Sequence, residues 1–208
     1  IAERLDHLLD TLIAAKQGRF FRFSRKKSAI KGLYLWGGVG RGKSMLMDMF
    51  VEHANKHRDI DVCRFHFHDF MRAVHAIVHK QRAQGKSDPT GQVMAQITKG
   101  ADVVCFDEME VRDIADAMII ARVMDGYMRR GGVLVVTSNR HPDDLYLDGL
   151  QRERFLPFIE ALKTYNDVIE ISGNTDWRQR LLAEIPGWYF PLDSHAETAM
   201  AMAMEQLT

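Results

Sequence analysis

Apolar positions change period along the chain, and each change marks an element. Between residues 1 and 16, Leu5, Leu8, Leu9, Leu12 and Ile13 recur at helical spacing. That stripe predicts an amphipathic helix laid on a core. Gly32-Leu33-Tyr34-Leu35-Trp36 is a short continuous apolar run, the mark of a buried strand, and Met45, Leu46, Met49 and Phe50 then return to a helical period. Asp61–Phe67, Ala101–Phe106, Val133–Thr137 and Asp167–Ile171 are four more strand-like runs. Helical patterns lie between them: Phe70, Val74, Ile77 and Val78, then Ile114, Met118, Ala121 and Met124, the second closed by Gly131-Gly132. Pro142 suits the first turn of a short helix over PDDLYLDGL, and Ser194 with Glu197 forms a capping box before an Ala/Met-rich helix. Five strands alternating with helices predict an α/β fold, a five-stranded parallel sheet sandwiched by helices. Residues 1–172 form its core, with the N-terminal helix (1–16) and a basic-aromatic loop (18–28), and 173–208 form a small helical lid or C-terminal segment.

Composition changes this picture little. The 208 residues carry a formal net charge of +0, so no global field argues for nucleic acid or an anionic membrane. The local exception is GRFFRFSRKK, where Arg19, Arg22, Arg25, Lys26 and Lys27 interleave with Phe20, Phe21 and Phe23. It reads either as a solvated loop with packed phenylalanines or as a surface for single-stranded nucleic acid or lipid. No apolar run approaches the roughly 20 residues of a membrane span, and the charged start IAERLDHLLD is unlike a signal peptide. Cys63 and Cys105 sit in strand-like runs and read as reduced, packed thiols of a cytoplasmic protein. His75 and His79 have the spacing of a metal pair, without a cysteine or carboxylate to complete a recognisable site.

The chemistry concentrates after the first strand. Gly37, Gly38, Val39, Gly40, Arg41, Gly42, Lys43 and Ser44 fit G-x-x-x-x-G-K-[ST] between an apolar strand and a helix. Glycines there let successive N–H groups turn inward around an anion, and the helix adds its positive end. Lys43 would reach the β- and γ-phosphates and Ser44 would hold Mg²⁺. The strand over 101–106 then delivers two adjacent acids, Asp107 for the Mg²⁺ shell and Glu108 to orient and deprotonate the attacking water. Ser138-Asn139 ends the next strand, where Asn139 could contact the γ-phosphate or the water. A whole strand–helix unit separates the loop helix from the acidic strand, as in the additional-strand ATPases, and the reading places the Glu108 strand beside the loop strand. N-K-x-D is missing, since Asn55-Lys56-His57 precedes Arg58, so ATP is expected rather than GTP.

GLYLWGGVGRGKS, RFHFHDFMRAVH, CFDE with VRDIADAM, TSN with PDDLY, and GLQRERFLPFI together resemble the ZapE-type, AFG-one-like AAA+ ATPases, over roughly Lys31 to Leu192. The resemblance implies a ring, of hexameric type, that hydrolyses ATP with Mg²⁺ to remodel a protein client. In bacteria that client is FtsZ or another division protein, at the division site or inner-membrane surface, with peripheral membrane association. In mitochondria the family serves inner-membrane protein quality control. It implies that Asn139 is a sensor and that Arg154 is an arginine finger reaching a neighbour's γ-phosphate, with Arg152 as the alternative. His66 or His68 could position Glu108, and Arg178 could act as a second sensor. Met109, His141 and Trp177 depart from the family's usual residues. A nucleic-acid-linked loader and a small-molecule kinase are the competing classes; adjacent Asp107-Glu108 favours water over a bound acceptor.

Overall fold

The computed structural model describes residues 1–18, 30–85 and 93–172. The basic-aromatic loop, the lid with Trp177 and Arg178, and the C-terminal helix with its capping box fall outside the described residues.

Five parallel strands form one sheet: β1 (Gly32–Trp36), β2 (Val62–His66), β3 (Val103–Asp107), β4 (Val133–Ser138) and β5 (Asn166–Glu170), in the order β2-β3-β4-β1-β5. Helices α1 (Ala2–Gly18) and α2 (Lys43–Asn55) cover one face; α3 (Phe67–Ala83), α4 (Val93–Thr98), α5 (Ile114–Arg129) and α6 (Leu156–Tyr165) cover the other. Burial on both faces explains the continuous apolar strands. Leu33, Leu35, Val103, Cys105, Val133 and Val135 point to α1 and α2, while Tyr34, Val104, Phe106, Leu134 and Val136 point the other way. Leu5, Leu8, Leu9 and Leu12 of α1 are all buried, each contributing about 1.5–3 kcal/mol. Lys16 fastens the far end of this helix to Asp102 at 2.6 Å.

Four readings are corrected. The Glu108 strand is not beside the loop strand: β4 lies between β3 and β1. Met45 and Met49 are exposed, because α2 buries Lys43, Met47, Phe50 and Ala54 instead. On α5 the buried stripe runs through Ala117, Ile120, Val123, Met124 and Met128, with Ile114, Met118 and Ala121 only partly covered. The helix expected after Pro142 is one 3-10 turn, Pro142–Asp144, and the longer helix of this region is α6, with Pro157 in its first turn.

Gly32 has a packing reason. A Cβ there would lie 2.0 Å from the Leu134 carbonyl oxygen and 2.4 Å from Asn166 Oδ1. Asn166, buried where α6 runs straight into β5, donates to the Leu162 carbonyl at 2.8 Å.

Candidate functional site

In a parallel sheet every strand's carboxyl end opens on the same edge, and the polar residues of this chain gather there. β1 leads into Gly37, whose N–H donates to the Ser138 carbonyl at 3.2 Å, so the loop starts pinned to the tip of β4. Gly40 and Gly42 take left-handed φ of 75° and 76°, which turn the chain into α2. Arg41 Nη1 donates to the Ile171 carbonyl at 3.3 Å, bracing the loop from beyond β5. Lys43 is buried, its Nζ donating to the carbonyls of Gly37 at 2.8 Å and Gly38 at 2.7 Å. Burial draws its ammonium below the ordinary lysine range; the Glu108 carboxylate pulls it back up, and Arg41 adds to the lowering. Glu108 and the loop lysine therefore share one electrostatic site. Ser44 follows in the first turn of α2, exposed.

The same β4 tip holds the acids. Glu108 adopts a left-handed φ of 55°, rare for a residue with a side chain of this size. Its N–H donates to Thr137 Oγ1 at 3.1 Å, the next N–H (Met109) donates to the Thr137 carbonyl at 2.8 Å, and Ser138 Oγ donates to the Met109 carbonyl at 2.8 Å. The kink sends Met109 into the core and leaves Glu108 exposed. Asp107 is buried; its Oδ2 accepts from Arg64 Nε at 2.6 Å, while Oδ1 is buried with no hydrogen-bond partner. Arg64 of β2 also pairs with Asp48 of α2. Burial alone would draw its guanidinium down, but the hydrogen bonds to Asp107 and Asp48 outweigh it and hold the charge above the ordinary range.

A cleft of about 240 Å³ opens beside the acids, lined by His66, His68, Asp107, Glu108, Arg112 and Asn139 among others. His66 at the end of β2, His68 in the first turn of α3 and Asn139 just after β4 thus line one cleft with Glu108. The candidate residues 37–44, 107, 108 and 139 come to one edge; Arg154 does not join them within the chain. It ends a 3-10 turn, Arg152–Arg154, and is exposed, with no carboxylate pairing among the described residues. Arg152 instead donates through Nη2 to the Asp143 carbonyl. His75 is taken up by Asp116, Nε2 to Oδ1 at 2.5 Å.

Two site residues escaped the sequence reading. Arg64 could have been suspected as the one fixed charge inside β2, and Thr137 as the first hydroxyl at the end of an otherwise apolar strand.

The magnesium fit can be tested on these atoms. A hard cation takes oxygen ligands, usually one or two from the protein, with water and phosphate completing the shell. Asp107 Oδ1, buried and unpartnered, and the exposed Ser44 hydroxyl are such a set. The residues fit the ion.

A phosphate loop on β1, acids on β3 and an inserted β4 carrying a polar tip define a P-loop NTPase of AAA+ type. The family profile described as AFG1-like ATPase matches residues 1–208, and the chain belongs to that family. It is 42% identical over 192 residues to the cell division protein ZapE of Escherichia coli K12, covering 91% of this chain and 49% of that protein. It is 38% identical over 194 residues to lactation elevated protein 1 homolog B of Danio rerio, covering 88% and 38%. The chain thus spans about half the length of the bacterial relative or less of the fish one. Among solved structures, DnaI superposes with a TM-score of 0.54 at 19% identity, over 79% of this chain and 82% of that one, a likeness of fold. Among the described residues, no helix is long and apolar enough to cross a membrane.

Proposed function

We propose that this chain hydrolyses ATP, with Mg²⁺, as one subunit of an AAA+ ring, and that the ring remodels a protein partner in bacterial cell division, at the FtsZ ring on the cytoplasmic side of the membrane. The observation that carries the reading is the double hydrogen bonding of the β4 tip, to Gly37 on one side and to Glu108 and Met109 on the other. It makes the phosphate cradle and the acids one rigid unit.

The backbone of Gly37–Gly42 and the start of α2 bind the phosphates, and Lys43 exchanges its two loop carbonyls for phosphate oxygens. Ser44 and Asp107 would hold Mg²⁺, which would supply counter-charge to the terminal phosphates. Glu108 accepts the proton of the attacking water, and Asn139 orients that water. Arg154 acts on the neighbouring subunit's nucleotide. Its exposure, against the internal bond of Arg152, favours Arg154 for that role. The segment presenting it is held from within: Tyr146 is buried, donates to the Leu150 carbonyl at 2.9 Å and meets Phe155 edge-on. Likeness to a division protein is the ground for the cellular setting.

Arginine fingers are worth about 10³–10⁵ in rate. Arg154→Ala should bind ATP normally and lose turnover by that order, while Arg152→Ala keeps most of it. Mixing Arg154→Ala with Glu108→Gln subunits should restore phosphate release, because each supplies what the other lacks. Full activity of Arg154→Ala, or no rescue on mixing, defeats the shared site. Capture of FtsZ by the Glu108→Gln variant in ATP tests the client.

A further inference from the structure

We propose that Arg64 is a positioning residue for the metal acid: it fixes which oxygen of Asp107 faces the Mg²⁺ position by tying that carboxylate to the phosphate-loop helix. The inference rests on the ATP and Mg²⁺ reading above and deepens it. Asp107 has a side chain only 3% exposed, a position that an isolated carboxylate reaches at high cost. Arg64 Nε takes Oδ2 at 2.6 Å and leaves Oδ1 buried and unpartnered. Five buried side-chain polar atoms lack a partner among the described residues, and Oδ1 is the one carboxylate oxygen of the five. It stands at the strand ends beside the phosphate loop, where it points to a ligand. The other end of the same planar fork, Nη1, holds Asp48. Asp48 stands one helical turn after Ser44, on the same side of α2. One rigid guanidinium thus links the acid of β3 to the stripe of α2 that carries the hydroxyl ligand. A lysine, a point charge without the fork, cannot satisfy both partners in that geometry. The bridge is also poorly explained as a stabiliser, because Asp48 is 63% exposed and such half-open pairs add little.

Groups that orient metal ligands typically change metal affinity about 10–100-fold when removed. Binding of a fluorescent ATP analogue, titrated in EDTA and across a Mg²⁺ series, separates this role from a general one. Arg64→Gln should bind the analogue in EDTA within about twofold of wild type and raise the half-saturating Mg²⁺ by about that 10–100-fold. Arg64→Lys should fall between wild type and Arg64→Gln. Asp48→Asn, which keeps the Asp107 bond but cuts the tie to α2, should raise the half-point measurably yet less than Arg64→Gln; no change there overturns the role of the tie. Wild-type Mg²⁺ dependence in Arg64→Gln, or equal weakening with and without Mg²⁺, overturns the inference. If Arg64→Gln does not fold by circular dichroism, Arg64→Lys decides, and an unchanged Mg²⁺ half-point there overturns it. A wild-type chain that binds no analogue under either condition instead defeats the nucleotide reading itself, and this inference with it.

Discussion

Replacing Glu108 by glycine should leave the fold more stable than replacing it by alanine, while both substitutions abolish hydrolysis. The residue sits at φ 55° and its side chain is exposed, so truncation removes no core contact. Left-handed backbone costs a residue bearing a Cβ about 1–2 kcal/mol. Alanine at 108 keeps that cost and glycine escapes it, but glycine loses about 0.5–1 kcal/mol through the freedom of its unfolded chain. Both variants lack the carboxylate, so the charge effect beside Asp107 cancels between them. The expected difference is up to about 1.5 kcal/mol in favour of glycine, or up to about 6 °C in Tm for a chain of this size. At an ordinary backbone angle the sign would reverse, with alanine the more stable by about 0.5–1 kcal/mol. Thermal and urea unfolding of Glu108→Gly and Glu108→Ala without nucleotide measure it, with phosphate release confirming that both are inactive. Saturating ATP at about a hundred times Kd should raise both by about 2.7 kcal/mol, which shows that binding survives. Greater stability of the alanine variant would refute the strained geometry and, with it, the idea that strain aims Glu108 outward.

Two further expectations follow from neighbouring atoms. Thr137→Val leaves the Glu108 N–H without its acceptor at nearly constant shape, costing about 1–3 kcal/mol; turnover should fall while nucleotide affinity holds, and Thr137→Ser should restore the rate, all readable by phosphate release and analogue titration. Gly32→Ala pushes a Cβ against the Leu134 carbonyl, which belongs to the strand ladder and cannot swing aside; the loss should reach or exceed the 1–3 kcal/mol typical of overpacking, seen as a lower urea midpoint or insoluble protein.

How much of this could be read from the chain depends on what each residue is buried against. The strands were plain because both faces of the sheet are covered, which makes their apolar runs continuous. Most helices were found, but two were turned the wrong way and one was missed, for identifiable reasons. On α2 the buried stripe begins with Lys43 itself, followed by Met47, Phe50 and Ala54. A functional lysine occupies the first core position, so the apolar period seemed to start at Met45. On α5 apolar residues surround much of the cylinder, with Ile114, Met118 and Ile119 partly covered beside the fully buried stripe, so periodicity alone could not choose a face. Helix α6 hid behind the charged Arg152-Glu153-Arg154, although Pro157 is itself a helix-start signal.

The site shows the same division more sharply. The glycine-rich loop and the paired acids were legible because their spacing is local, whereas the neighbour of each strand is not encoded by period at all. That is why β4 was misplaced, and β4 is the strand that makes the site one unit. Arg64 belongs to this second kind: its partners lie 43 positions away in β3 and 16 positions back in α2. Yet it left a trace. A fixed charge in the middle of a strand, flanked by Cys63 and Phe65, must either face solvent or meet a buried carboxylate. In a sheet covered on both faces the first option is restricted, and the buried acid at this end of the neighbouring strand is Asp107. An arginine inside an apolar strand next to a strand that ends in Asp-Glu is therefore a local sign of a long-range ion pair, and in this fold that pair lies at the metal position.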